Sequence, residues 1–302
     1  CLYCYAREMA LRYGRIADGA AWTAETVDQA KLDDYRAVLA GTKKIRGGLG
    51  TVMIPTTHDI TPKNAEAVAA AACALLSAPT PPNTPETRIL FVTKADGPSV
   101  ETVCRKIDEI ADQDQAPLGT RGILRNRTEW RLTIGALDDR ARAFWEPHAP
   151  PVEMRLEVLR WLYRTAWRTS VSAEPLLEPR RAVALVTTVA PHVTETVWIG
   201  TARDLARRTA WTKNAPAFRY TAGRLAKAIA NLEAWQTDGG ILAIAQQLRD
   251  ELGPDVWPKV RFKDSYTDIL ARYGWTFSPE EPGRPVQTET RPAAAFREES
   301  PK

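Results

Sequence analysis

Short apolar runs alternate with amphipathic stretches along most of this chain. The runs cover Leu49–Pro55, Arg88–Thr93, Trp130–Ile134, Thr169–Ala173 and Glu195–Ile199, each of strand length and each closed by a polar or glycine residue. Helical spacing falls between them. Thr61-Pro62 opens a helix through Ser77, with proline at the first helical position. Pro98–Ala111 places Val100, Val103, Cys104, Ile107 and Ile110 on one face, and further helices are predicted over Val152–Trp167 and Ala182–Val189. Two helices precede the first run, Arg7–Gly14 and Thr23–Leu39, the second capped by Thr23 and closed by Gly41. Strands alternating with helices predict βαβ units on a parallel sheet.

Beyond Gly200 the pattern changes. Helices are predicted over Ala217–Trp235 and Asp238–Leu252, and Val260–Lys263 reads as a last strand or an extended closing segment. From Arg272 the chain is rich in Pro, Glu, Thr and Arg, which predicts disorder to Lys302. The expected division is a strand–helix unit over 1–205, a helical extension over 206–271 and a tail over 272–302.

The polar residues are not scattered. Each apolar run ends in a group that can bind or react: Thr56-Thr57-His58-Asp59, then Lys94, Gly135, Ser172 with Glu174, and Gly200. Any one of these serves equally as a helix cap or a turn. Five in register point to one shared mouth, because parallel α/β folds build their sites at the C-terminal strand ends.

Composition narrows the class. The 44% hydrophobic and 26% charged residues are those of a globular protein, and no apolar run reaches membrane-spanning length. Four cysteines make a disulfide framework improbable and fit a reducing cytoplasm. A net charge of +4 tolerates a polyanion without demanding one.

The chain opens on Cys1-Leu2-Tyr3-Cys4-Tyr5-Ala6-Arg7. Two thiols at this spacing turn toward one point, which suits a metal centre, a redox dithiol or half of a zinc site; neither a second pair nor a His cluster follows to complete a zinc site. With Tyr3 directly before Cys4, the stretch resembles the second half of the radical SAM signature, C-x3-C-x-aromatic-C. The likeness extends to the spore photoproduct lyase-like group in Thr51-Val-Met-Ile-Pro-Thr-Thr-His-Asp-Ile-Thr-Pro62, Phe91-Val-Thr-Lys94, Arg131-Leu-Thr-Ile-Gly135, Phe144-Trp-Glu-Pro147, Thr169-Ser-Val-Ser-Ala-Glu-Pro175 and Val197-Trp-Ile-Gly200.

This resemblance implies a partial (β/α)6 barrel, with five strands here and both the sixth strand and the first cluster cysteine lying before Cys1. It implies that Cys1 and Cys4 ligate a [4Fe-4S] cluster that cleaves S-adenosylmethionine (SAM) to a 5′-deoxyadenosyl radical for hydrogen abstraction, fed by a donor such as a flavodoxin or ferredoxin. Thr56, Thr57, His58 and Asp59 would meet the methionine amino group, Lys94 the carboxylate, Gly135 the ribose, and Ser172, Glu174, Trp198 and Gly200 the adenine. Nucleic acid is among the implied substrates. The group's hydrogen-donating cysteine is matched here by Thr56, a far poorer hydrogen-atom donor, so the pattern departs from repair of the spore thymine dimer. The rival expectation is a non-catalytic nucleic-acid-binding barrel that keeps only the scaffold.

Overall fold

The computed structural model of the 302-residue chain describes residues 1–18, 21–23, 25–112, 119–214 and 222–286. Its elements run α1 (Tyr5–Arg12), α2 (Gln29–Leu39), β1 (Thr51–Ile54), α3 (Ala65–Ser77), β2 (Arg88–Thr93), α4 (Gly97–Ala111), α5 (Thr120–Asn126) and β3 (Thr128–Thr133). There follow α6 (Asp139–Trp145), α7 (Val152–Arg164), β4 (Arg168–Ala173), α8 (Ala182–Val189), β5 (Val197–Ile199), α9 (Leu205–Thr209) and α10 (Ala222–Glu233). The chain closes with α11 (Asp238–Glu251), β6 (Val260–Phe262), α12 (Asp264–Arg272) and a small hairpin, β7 (Thr276–Phe277) with β8 (Pro285–Val286).

The six strands β1 to β6 form one sheet in sequential order, every neighbour parallel. Sequential order means that the chain never reverses along the sheet, so right-handed crossovers put the intervening helices on the same side. That is the winding of a barrel segment, and β1 and β6 remain its two open edges.

The register separates the two faces. Leu132, Val171, Val197 and Val260 stand in one row, each fully buried, and join helix residues such as Val103, Leu159, Val186 and Ile244 in a single apolar core. Phe91 stacks on Trp130 within it, ring centroids 4.2 Å apart. The alternate row on the opposite face reads Thr133, Ser172, Trp198 and Arg261. A two-residue period thus turns apolar side chains toward the helices and polar ones into the barrel.

The sequence reading holds for the α/β class, the partial barrel and all five apolar runs as strands. The count of strands is corrected to six within this chain, because Val260–Phe262 pairs with β5 instead of merely closing the fold. The segment expected as a helical extension therefore contributes to the sheet. The tail is corrected too: residues 272–286 are ordered, and the residues after 286 lie outside the described ones. Composition averaged over the whole tail concealed Trp275 and Phe277, which dock locally. Trp275 packs edge-on against Phe262 and Trp257, and the Phe262 amide donates to the Gly283 carbonyl at 2.8 Å. α2 begins at Gln29 under an Asp28 cap, not at Thr23, because the Asp28 carboxylate accepts from the Lys31 amide. The start of the helix expected from Ala217 falls outside the described residues; its described part is α10.

Candidate functional site

The cysteine loop docks across the C-terminal ends of the strands. Leu2 is fully buried and, with Tyr3, packs against Ala136, Leu177 and Ala202, the residues that follow β3, β4 and β5. The Leu2 amide donates to the Trp145 carbonyl at 2.8 Å, and the Trp211 indole N–H donates to the Leu2 carbonyl at 3.4 Å. Tyr5 donates its hydroxyl to the Thr56 carbonyl, joining α1 to the loop after β1. Apolar Leu2 therefore anchors the segment, and Cys1 and Cys4 on either side stay partly exposed.

Cys4 is the N-cap of α1, its Sγ accepting from the Arg7 amide at 3.4 Å.

A charged group is buried directly beneath. Glu146 is 1% exposed and pairs with the equally buried Arg155, Nη1 to Oε2 2.7 Å, while Tyr3 donates its hydroxyl to Oε1. Lys94, at the end of β2, places Nζ 3.9 Å from the same Oε1. Burial alone would raise the Glu146 pKa, but Lys94, Arg155 and the Tyr3 hydrogen bond outweigh it and hold the carboxyl below its ordinary value. Burial and then Glu146 push the Tyr3 phenol well above its ordinary value, so Tyr3 stays a donor. Arg155 also donates to the carbonyls of Thr133 and Pro150, each at 3.0 Å, tying α7 to the end of β3.

Arg7 stands apart. It is 4% exposed, its guanidinium lies 3.9 Å above the Trp211 ring, and among the described residues no acceptor meets Nε or Nη1.

The residues singled out from the sequence divide into two groups. Cys1, Cys4, Thr56 and Lys94 gather around the cysteine loop, as the Tyr5, Tyr3 and Glu146 contacts require. Thr57 and His58 are exposed in the loop beside Thr56. Asp59 fastens two strand ends together: its Oδ1 accepts from the Thr93 hydroxyl, from the Lys94 amide at 2.9 Å and from the Ile60 amide at 3.0 Å. The second group lies after β3, β4 and β5. Glu174 is exposed and pairs with Lys263 at 3.2 Å, and Lys263 sits 4.9 Å over the Trp198 ring, which Arg131 also faces. Ser172 is buried on the inner face. Gly135 and Gly200 bind backbone closely: the Gly135 carbonyl accepts from Leu177 at 2.7 Å, and the Gly200 carbonyl from Leu176 at 2.9 Å.

Tyr3, Arg7, Glu146, Arg155 and Trp211 were missed as participants. Arg7 and Tyr3 border the cysteines and Glu146 sits in the Phe144–Pro147 block, so proximity was a signal for three. Arg155 and Trp211 carried none, since each reaches the site through the fold.

An open, singly wound parallel α/β sheet with a dithiol loop seated on its C-terminal strand ends is the class that fold and site define. No family model and no curated protein matches the chain. Among solved structures it is similar to spore photoproduct lyase, as a Cys-to-Ala mutant with dinucleoside spore photoproduct: 15% identity and TM-score 0.43 over 74% of this chain and 59% of that one. A structure of the mutant gives 14% identity and TM-score 0.41 over the same shares. The chain thus spans 59% of the length of these solved structures.

The implied iron–sulfur cluster can be tested against the donor set. Two partly exposed thiols, one of them on a helix N-terminus, with a buried cation lacking an acceptor nearby, suit a negatively charged thiolate-bound centre. They account for two of its three thiolate positions; among the described residues no group of three or more metal-ligating side chains occurs, and Cys73 and Cys104 are buried in the packing of α3 and α4.

Proposed function

We propose that this chain is a radical SAM enzyme in which Cys1 and Cys4 supply two of the thiolates that hold the cluster. What supports the reading is that the loop bearing both thiols docks over the residues that follow β3, β4 and β5, with Tyr5 bonded to the Thr56 carbonyl and Tyr3 and Lys94 both facing Glu146. When bound, the cluster would supply one electron to split SAM into methionine and the adenosyl fragment, drawn from a low-potential flavodoxin or ferredoxin.

The chain's own residues bind, orient and exclude water. Lys94 is held by Glu146 at a separation too long for a strong hydrogen bond, so its ammonium keeps donors for the carboxylate of SAM. Thr56, Thr57 and His58 offer hydroxyls, carbonyls and a ring to the amino group, while Asp59 acts through the loop it fastens. Gly135 and Gly200 put no side chain at the strand ends, where, with Ser172, Glu174 and Trp198, they would hold the ribose and adenine of SAM. Leu2, Phe144, Trp145 and Leu205 form one buried apolar cluster under the cysteine loop, which would exclude water from that side of the site.

Four cations of the inner face are already paired with carboxylates, Arg131 with Glu129, Arg168 with Glu195, Arg261 with Glu281 and Lys263 with Glu174, which weakens the face's attraction for a polyanionic substrate. Nucleic acid therefore remains a substrate to be tested by salt-dependent oligonucleotide binding.

Anaerobic reconstitution of the full-length protein with iron and sulfide tests the proposal. The expected result is broad visible absorption and conversion of SAM to 5′-deoxyadenosine under reduction. A colourless protein that leaves SAM intact overturns it.

A further inference from the structure

A buried guanidinium without an acceptor is expensive, because it loses its hydration and gains nothing in exchange. Arg7 is in that position: 4% exposed, with Nε and Nη1 unmet among the described residues. It is nevertheless held in place. Its guanidinium lies 3.9 Å over the Trp211 ring, and the Trp211 indole bonds the Leu2 carbonyl inside the cysteine loop. Arg7 stands three residues after Cys4 on α1, and its backbone amide caps the Cys4 sulfur. Cys4 is the electrostatic neighbour that acts on the guanidinium, and through Trp211 the guanidinium is fixed against Leu2, the residue next to Cys1. A fixed cation with spare donors against the cysteine loop is a complement awaiting negative charge.

We infer that Arg7, clamped by Trp211, is a positioning residue that sets the reduction potential of the thiolate-bound centre held by Cys1 and Cys4. The inference rests on the proposed function above. Adding an electron makes such a centre more negative, and a buried positive charge close to it stabilises the reduced form and raises the potential. Trp211 keeps the cation from swinging to solvent, so the effect is built in before the metal arrives.

The test uses the full-length protein, wild type and Arg7→Met, with Arg7→Lys as the conservative variant. Methionine keeps an unbranched, largely apolar side chain, shorter than arginine's, and removes the charge. In the metal-free protein Arg7→Met is expected to unfold at the same temperature as wild type or higher, because an uncompensated charge has been replaced by an apolar chain of similar volume. After reconstitution to equal iron content, redox titration followed by electron paramagnetic resonance is expected to show Arg7→Met half-reduced at a more negative potential than wild type, with Arg7→Lys in between.

A clear fall in the unfolding temperature of metal-free Arg7→Met assigns Arg7 to the fold and overturns the inference. An unchanged potential at equal iron content also overturns it, while leaving the cluster itself intact. A wild-type protein that takes up no iron is a separate failure, that of the cysteine loop as a cluster site, and this inference falls with it.

Discussion

Glu146 concentrates more of the site's electrostatics than any residue named from the sequence. It is buried, paired with Arg155, bonded by Tyr3 and faced by Lys94. Glu146→Gln removes the charge and leaves Arg155 and Lys94 uncompensated, which is expected to cost about 3–5 kcal/mol at neutral pH. The pH dependence has a definite sign. The folded-state pKa lies below the ordinary value of 4.5, so the carboxylate contributes its stability above that value and loses it as pH falls below. Urea unfolding of both proteins should show a gap that is full at neutral pH and narrows in acid; a gap independent of pH would remove Glu146 from this role. The four cysteines give a second residue-scale prediction. Burial pushes the Cys73 thiol up to about 12 and the Cys104 thiol higher than its ordinary value, whereas Cys1 and Cys4 are partly exposed. Iodoacetamide at neutral pH should label Cys1 and Cys4 of the native metal-free protein, with Cys73 and Cys104 reacting only after denaturation, as mass spectrometry of the peptides will report.

At the scale of elements, the turns after the strands decide how closely a ligand can approach. A Cβ at Gly135 would stand 2.3 Å from the Pro175 carbonyl oxygen, a backbone atom that also follows β4 and cannot swing aside. A Cβ at Gly200 would meet Glu174 and Lys263 at 3.0 Å, both through side-chain methylenes that can turn away. Gly135→Ala is therefore expected to lower stability by about 1–3 kcal/mol and Gly200→Ala by much less. Chemical denaturation of the two variants checks the order, and equal losses would contradict it. The glycines were legible at strand ends in the sequence, but their partners were not, since Pro175 and Lys263 arrive from other turns. The same limit explains β6. Val260–Lys263 read equally as a last strand or an extended closing segment, and only the register of Val260–Phe262 against Val197–Ile199 decides for the strand. Helix caps were less legible: α4 takes Asp96, which accepts from the Ser99 amide and was not read as a cap, and α2 takes Asp28 in preference to Thr23.

The whole molecule is a sheet wound in one direction, so its edges must be covered, and the far edge depends on the segment after α12. Arg261 on β6 is 7% exposed and finds its carboxylate in Glu281, twenty residues on; Phe262 gives its amide to Gly283. Trp275 fills the space between Phe262 and Trp257 and faces the Arg249 guanidinium. A chain ending at Gly274 would leave the Arg261 guanidinium without its carboxylate, an edge amide without an acceptor, and Phe262 and Trp257 without the Trp275 ring between them. Compared with a chain ending at Val286, the shorter protein should unfold at clearly lower denaturant, and its loosened β6 should free Lys263 from Glu174 and Trp198. Hydrogen exchange at the Phe262 and Val260 amides separates local from global loss: early exchange confined to β6 marks an edge strap, uniform exchange marks a strut of the whole sheet, and full protection would show that the hairpin carries no load on the barrel.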